Sequence, residues 1–257
     1  MRPAAWITVS VMIAILALAT SGCGDSNDKA TTSEKATTTG TGQTTEKDEA
    51  AEEGEAGQEA TGSVPRTLDA VESGAEDTID FAHQGSRAKV VRTARELQRD
   101  LDPASSDLRK AGVESDRIAA LEARVRVLQS LAPHGDFDRI SLAANQISAL
   151  MPEFFGRYDV PVPPDVLELD YLDREAQLRS IVGDADTVSS AVQQLASTWS
   201  DLRRRVIDAG GRRLAARFSR HVELMRQKAR TPKSRALQRE AAVGLELVDE
   251  LEHQFRK

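Results

Sequence analysis

A chain of 257 residues with a single cysteine, 4% aromatic residues and a formal net charge of −7 has no material for a disulfide framework or a cysteine-built metal cage. The charge is uneven: residues 24–65 hold 10 Asp/Glu against 3 Lys/Arg, a net of −7, which leaves residues 66–257 nearly neutral. No stretch interleaves cations with the aromatics that a base-stacking surface needs, so nucleic acid is not an expected partner.

Arg2 precedes the uncharged run Trp6 to Ala19, 14 residues long, and the small residues Thr20-Ser21-Gly22 lead into Cys23. A bilayer span needs about 20 apolar residues, so residues 1–22 have the layout of a secretory signal peptide. The tetrapeptide ending in Cys23 resembles the lipobox of bacterial lipoproteins, with Thr20 where that motif usually has Leu. The resemblance covers residues 1–24. It implies a diacylglyceryl group on the Cys23 sulfur, cleavage after Gly22, and a second signal such as further acylation by a palmitate-like chain, because one chain alone anchors only marginally. It further implies a protein held by lipid on the extracytoplasmic face of a cell membrane or outer membrane.

Residues 23–63 are Thr, Ser, Gly, Glu and Ala with almost no large apolar side chain. Such a composition does not offset its conformational entropy by burial, so this segment is expected to be a disordered acidic tether with a reach of roughly 35 Å.

From residue 64 the pattern changes to helical spacing. The expected helices cover 66–84, 86–101, 115–132, 137–155, 166–182, 185–208, 212–229 and 233–255. The clearest apolar runs are Val188, Val192, Leu195, Trp199, Leu202, Val206 and Ile118, Leu121, Val125, Leu128, spaced alternately by three and four. A third is Leu237, Ala241, Gly244, Val248, Leu251, Phe255. Glycines such as Gly85, Gly112, Gly183 and Gly210 fall where the periodicity stops, as helix C-caps do. Ser86, Asp102-Pro103, Ser115, Asp136, Asp165, Asp184 and Thr231-Pro232 supply start signals. The expected fold class is all-α, an antiparallel helical bundle of about eight helices, divisible into two four-helix halves. A Pro-rich strut at 158–164, expected in polyproline conformation, separates an N-terminal half (64–157) from a C-terminal half (165–257). Shifting residues 79–97 by 127 pairs Ile79 with Val206 and Leu97 with Leu224, a faint echo of duplication.

The folded part carries no phosphate-cradling glycine loop, no His-Glu-x-x-His and no Gly-x-Ser-x-Gly, so no catalytic residues are assigned and an enzyme is not expected. Two carboxylate-x-x-His pairs, Asp80 with His83 and Glu250 with His253, have the spacing by which helical bundles hold iron or another transition metal. Each pair continues an acidic stripe away from its helix's apolar seam, so a solvated face is the simpler reading. His221 lies on the apolar stripe of Leu214, Phe218, Val222 and Met225, where a hydrogen-bonded core histidine is expected. Asn145-Gln146 could make a buried hydrogen bond, with a boundary position the simpler reading.

The strongest charge feature is residues 200–239, with 13 Lys/Arg against 3 Asp/Glu. Arg203, Arg204, Arg205, Arg212, Arg213, Arg217 and Arg220 form a candidate binding surface for an acidic envelope polymer or protein. The simpler reading of the charge is internal compensation, in which the acidic stripe Asp165, Glu168, Asp170, Asp173 and Glu175 faces those arginines. The leading expectation is a lipid-anchored binding or scaffold bundle of the cell envelope with no cofactor. The second is a metal- or small-ligand-binding bundle, similar in architecture to ferritin-like or imelysin-like proteins, although the imelysin-type Gly-x-His-x-x-Glu is missing.

Overall fold

The computed structural model describes residues 62–257; the expected signal peptide, Cys23 and nearly all of the tether lie outside the described residues. Among the described residues there is no strand, and nine helices follow in order: α1 (Arg66–His83), α2 (Arg87–Lys110), α3 (Ser115–Leu131), α4 (Phe137–Ser148), α5 (Met151–Phe155), α6 (Pro164–Val182), α7 (Ala185–Asp208), α8 (Arg212–Lys228) and α9 (Arg235–Phe255). None is long and apolar enough to cross a membrane.

Short turns make sequential helices antiparallel neighbours, and two closed rings result. In the first, α1 packs on α2, α2 on α3, α3 on α4 and α4 back on α1; in the second, α6, α7, α8 and α9 close in the same order. Each ring has its own hydrophobic core, one centred on Leu68, Leu97, Leu121 and Ile140, the other on Leu169, Leu195, Phe218 and Leu237. Helices α4 and α5 pack on α6 and join the rings. The three apolar runs read from sequence are buried along their length, except that Phe255 is only partly covered.

Local chemistry explains the ends. Asp184 accepts from the Thr187 amide and caps α7, and Ser234 accepts from Leu237 and caps α9, each satisfying a free first-turn donor. Gly183 and Gly210 have φ of +81° and +86°, a left-handed turn that a Cβ would strain.

Several expected boundaries move. Helix α2 continues through Asp102-Pro103 to Lys110, because Leu101, Ala104 and Leu108 keep the buried spacing across the proline. The expected helix 137–155 is broken at Ala149-Leu150 into α4 and α5. Helix α6 starts at Pro164, which suits a position whose missing N–H is not needed, so Asp165 sits in the first turn. The strut is reduced to residues 159–163, with bends at 161 and 162 in place of a straight rod. The Asp159 amide donates to the Gly62 carbonyl at 2.8 Å, which seats the start of the described chain beside the junction of the rings.

Candidate functional site

The α7–α8 hairpin brings the sequence-predicted arginines together. Its turn closes with the Gly211 amide on the Val206 carbonyl at 2.9 Å, and Gln254 from the end of α9 donates to the Ala209 carbonyl. Arg203, Arg204, Arg205 and Arg212, Arg213, Arg217, Arg220 flank this turn, and all seven are exposed. Arg204 pairs with Asp208, Arg205 with Asp165 and Arg217 with Glu250. Among the described residues Arg203, Arg212, Arg213 and Arg220 have no ion pair or hydrogen bond. Helix α8 opens on Arg212 and Arg213 with no acidic residue in its first turn and no side-chain cap. Two cations at the positive end of a helix dipole work against the helix, so this charge is not there to hold α8 together.

The expected compensation by the α6 acidic stripe is realised at one position, Asp165 with Arg205. Asp170 pairs with Arg174 and Glu175 with Arg179, both on α6 itself, and Asp173 turns into the core. Periodicity showed the stripe but not which of its members would be covered.

The two metal-ligand pairs do not assemble. Glu250 receives both guanidinium nitrogens of Arg217, and the His253 ring nitrogen Nδ1 lies 2.8 Å from its own helix's Asp249 carbonyl. Asp80 and His83 are both exposed. No group of three or more His, Cys, Asp or Glu side chains placed to hold a metal exists among the described residues.

The acidic stripe of α1 is only partly solvated: Asp80 is exposed, the Glu76 side chain is 38% exposed and Glu72 is half-buried. Glu72 and Glu76 feel the charges of Asp170 and Arg174 of α6 and of Glu252 of α9. Arg174 reaches Glu76 at 3.3 Å and Asp170 at 3.0 Å with its side chain 12% exposed. Glu252 has its own partner in Arg256 at 2.9 Å, and Arg174 alone does not neutralise the rest. Burial, then Asp170 and Glu252 push the Glu76 pKa up to about 8 against the pull of Arg174, and burial with Glu76 and Asp170 drives that of Glu72 well above its ordinary value.

A second polar cluster joins α4 to α6. Asn145 is fully buried and donates to Glu175 at 2.8 Å, with Gln146 on the same carboxylate oxygen at 3.2 Å. Asn145 is therefore not at a boundary, because α6 of the other ring covers it.

His221 is the core histidine that its spacing predicted, 2% exposed, but it has unforeseen partners. Its Nε2 lies 3.0 and 3.1 Å from the two oxygens of fully buried Asp173 on α6, and its Nδ1 lies 3.2 Å from Glu240 on α9. Lys228 closes the set on the other Glu240 oxygen. Phe218 meets the imidazole edge-on at 5.3 Å and stacks on Trp199 at 4.5 Å. Burial opposes charge on the ring, but hydrogen bonds and charge from Asp173 and Glu240 raise its pKa. Burial carries Asp173 up to about 6, against the pull of the imidazolium. No family model, no curated protein and no solved structure matches this chain.

Proposed function

We propose that this helical-bundle protein is a lipid-anchored, non-catalytic binding or scaffold module on the extracytoplasmic face of a bacterial envelope, and that it engages an acidic polymer through the α7–α8 end. The observation that carries the reading is the gathering of seven exposed arginines around one turn, four of them without a protein partner among the described residues. Clustered unpaired cations raise the local concentration of an anionic partner. The Arg-Arg start of α8 supports the same conclusion, since it costs helix stability and returns nothing internally. The anchor rests on Cys23 and the small residues before it.

Binding to poly(glycerol phosphate), measured with the full chain and with the triple variant Arg203→Glu, Arg213→Glu, Arg220→Glu, tests the surface. The reversal should weaken binding by about ten-fold or more, and added salt should weaken that of the unaltered chain. Equal affinities would refute the assignment. Labelled palmitate should enter the full chain in cells and fail to enter Cys23→Ala; labelling of both would remove the anchor from the proposal.

A further inference from the structure

The two rings correspond residue by residue. Helices α2 and α7 are both 24 residues long, and α3 and α8 are both 17. A shift of 98 places Gly85 on Gly183 and Gly112 on Gly210, all four with positive φ. The same shift places buried Val90, Ala94, Leu97, Leu101 and Leu108 on buried Val188, Val192, Leu195, Trp199 and Val206. The α7–α8 turn is one residue shorter than the α2–α3 turn, and beyond it the shift is 97. Ile118, Leu121, Val125 and Leu128 then fall on Ala215, Phe218, Val222 and Met225. Ile140, Ala144, Leu150 and Phe154 fall on Leu237, Ala241, Leu247 and Leu251, so interrupted α4–α5 matches continuous α9. The shift of 127 read from sequence aligned the α1–α2 turn with the α7–α8 turn, which occupy different places in their rings.

Amphipathic helices match one another's apolar positions readily. The equal lengths of α2 with α7 and of α3 with α8, the equal ring order and the left-handed glycines at the same places are independent of that match. Glu76 and Arg174, which pair across the rings, are themselves equivalent positions under the shift of 98. Residues meet their own equivalents only close to a two-fold axis, as in a dimer whose subunits became one chain.

The repeats differ sharply in one layer. Where the second ring has Asp173, Glu240 and Gly244, the first has Ala75, Ala143 and Ile147. Arg124 stands in place of His221 and turns out to the Gln146 carbonyl. Ala75 and Ile147 are buried in the first core, so hydrocarbon closes this layer and the architecture does not require charge there. In the second ring a Cβ on Gly244 would lie 2.1 Å from Asp173 Oδ2 and 2.6 Å from His221 Nε2. The glycine makes the room in which the pair sits.

We infer that the chain is a tandem duplication of one four-helix unit, and that the Asp173–His221–Glu240 centre is a proton-binding site built into the second copy alone. The groups that face it are Asp173 and Asp170 from α6, Lys228 from α8 and Glu240 from α9, while α7 contributes Trp199 packed on Phe218. While Asp173 and Glu240 are ionised, a carboxylate at each ring nitrogen has both nitrogens donate, which favours the imidazole as the cation. His221 and Asp173 both have folded pKa values above their unfolded ones. The stability that their protons contribute is complete below the unfolded values and is lost as pH rises through the folded ones.

The test uses the full chain and two variants. One closes the layer with hydrocarbon, taking the first copy's residue at three positions and leucine at the fourth (Asp173→Ala, Glu240→Ala, Gly244→Ile, with His221→Leu), and the other keeps shape and removes charge (Asp173→Asn, Glu240→Gln). Unfolding midpoints are followed between about pH 5 and pH 8, and ring NMR shifts follow His221. Both variants should fold with unaltered helix content, and the unaltered chain should lose more protons than either as pH rises, the excess being larger over the hydrocarbon variant, which lacks both His221 and Asp173. The His221 ring should titrate above an ordinary histidine in the unaltered chain and fall back in the shape-preserving variant. The acidic groups between the rings are present in all three proteins, and Asp170 is the group that touches both sets, so the His221 ring shifts are the readout specific to the centre. If only the shape-preserving variant folds, its pH profile decides. Failure of both to fold would make the centre part of the scaffold, and an unchanged pH profile or an ordinary His221 titration would remove the proton site; each overturns the inference.

Discussion

Gly244 is the residue on which the second core turns. In a helix interior glycine is about 1 kcal/mol less favourable than alanine, so on propensity alone Gly244→Ala would stabilise. Here the added Cβ meets Asp173 Oδ2, Asp173 Cγ and His221 Nε2, all within 2.6 Å, and the two side chains are fixed by each other and by Glu240. The steric term, about 1–3 kcal/mol for overpacking, together with lost hydrogen bonds, outweighs propensity. Gly244→Ala should lower stability in denaturant unfolding by about 1–3 kcal/mol; a gain would show that the centre yields easily. Gly244 was legible in sequence as one place on an apolar stripe. That it lies against a carboxylate was not, because the partners are 71 and 23 residues away in sequence.

At the scale of the element, α2 shows burial overriding a local stop signal. Pro103 lies in its interior, where proline removes a backbone donor and crowds the preceding turn at a cost of about 3 kcal/mol. The helix continues because Leu97, Leu101, Ala104 and Leu108 hold one buried stripe. Pro103 itself is exposed, so Pro103→Ala restores the missing donor without disturbing the core. It should raise stability by about 1–3 kcal/mol, read as a higher denaturant midpoint with an unchanged slope. A loss would mean that the proline supports a bend on which the first ring depends. The equivalent place in α7 is Asp201, and α7 has the same length without a proline.

At the scale of the whole molecule, the contact between the rings is electrostatically frustrated. Glu72, Glu76, Asp249 and Glu252 all have pKa values raised first by burial and then by one another or by Asp170, although Arg256 pulls that of Glu252 down. A carboxyl whose folded pKa is raised contributes stability that is complete below its unfolded value and lost as pH rises through the folded one. For Glu76 that window runs from 4.5 to about 8. Glu72→Gln, which removes one charge from a set served by a single buried guanidinium, should raise the thermal midpoint at about pH 8 and leave it unchanged below the ordinary glutamate range. A fall at alkaline pH would show that Arg174 is shared by Glu72 more effectively than the geometry implies. The α7–α8 arginines lie on the opposite side of this balance, exposed and screened, so their reversal should act on binding and salt dependence, not on folding.

The helical class, the number of long helices, the apolar stripes and the arginine-rich segment were all readable along the chain. Each of these follows from periodicity, caps and charge within a few turns of chain. The sequence also supplied the reading of Cys23 as an acylation site, which lies outside the described residues. Only the tertiary structure decided what covers each stripe. It placed Asn145 beneath Glu175, Glu76 against Arg174 and Asp173 against His221. It also set the register of the two repeats at 98 and 97 and not 127. The physical reason is that periodicity records which face of a helix avoids water, whereas the identity of its neighbour is set by how two closed rings pack.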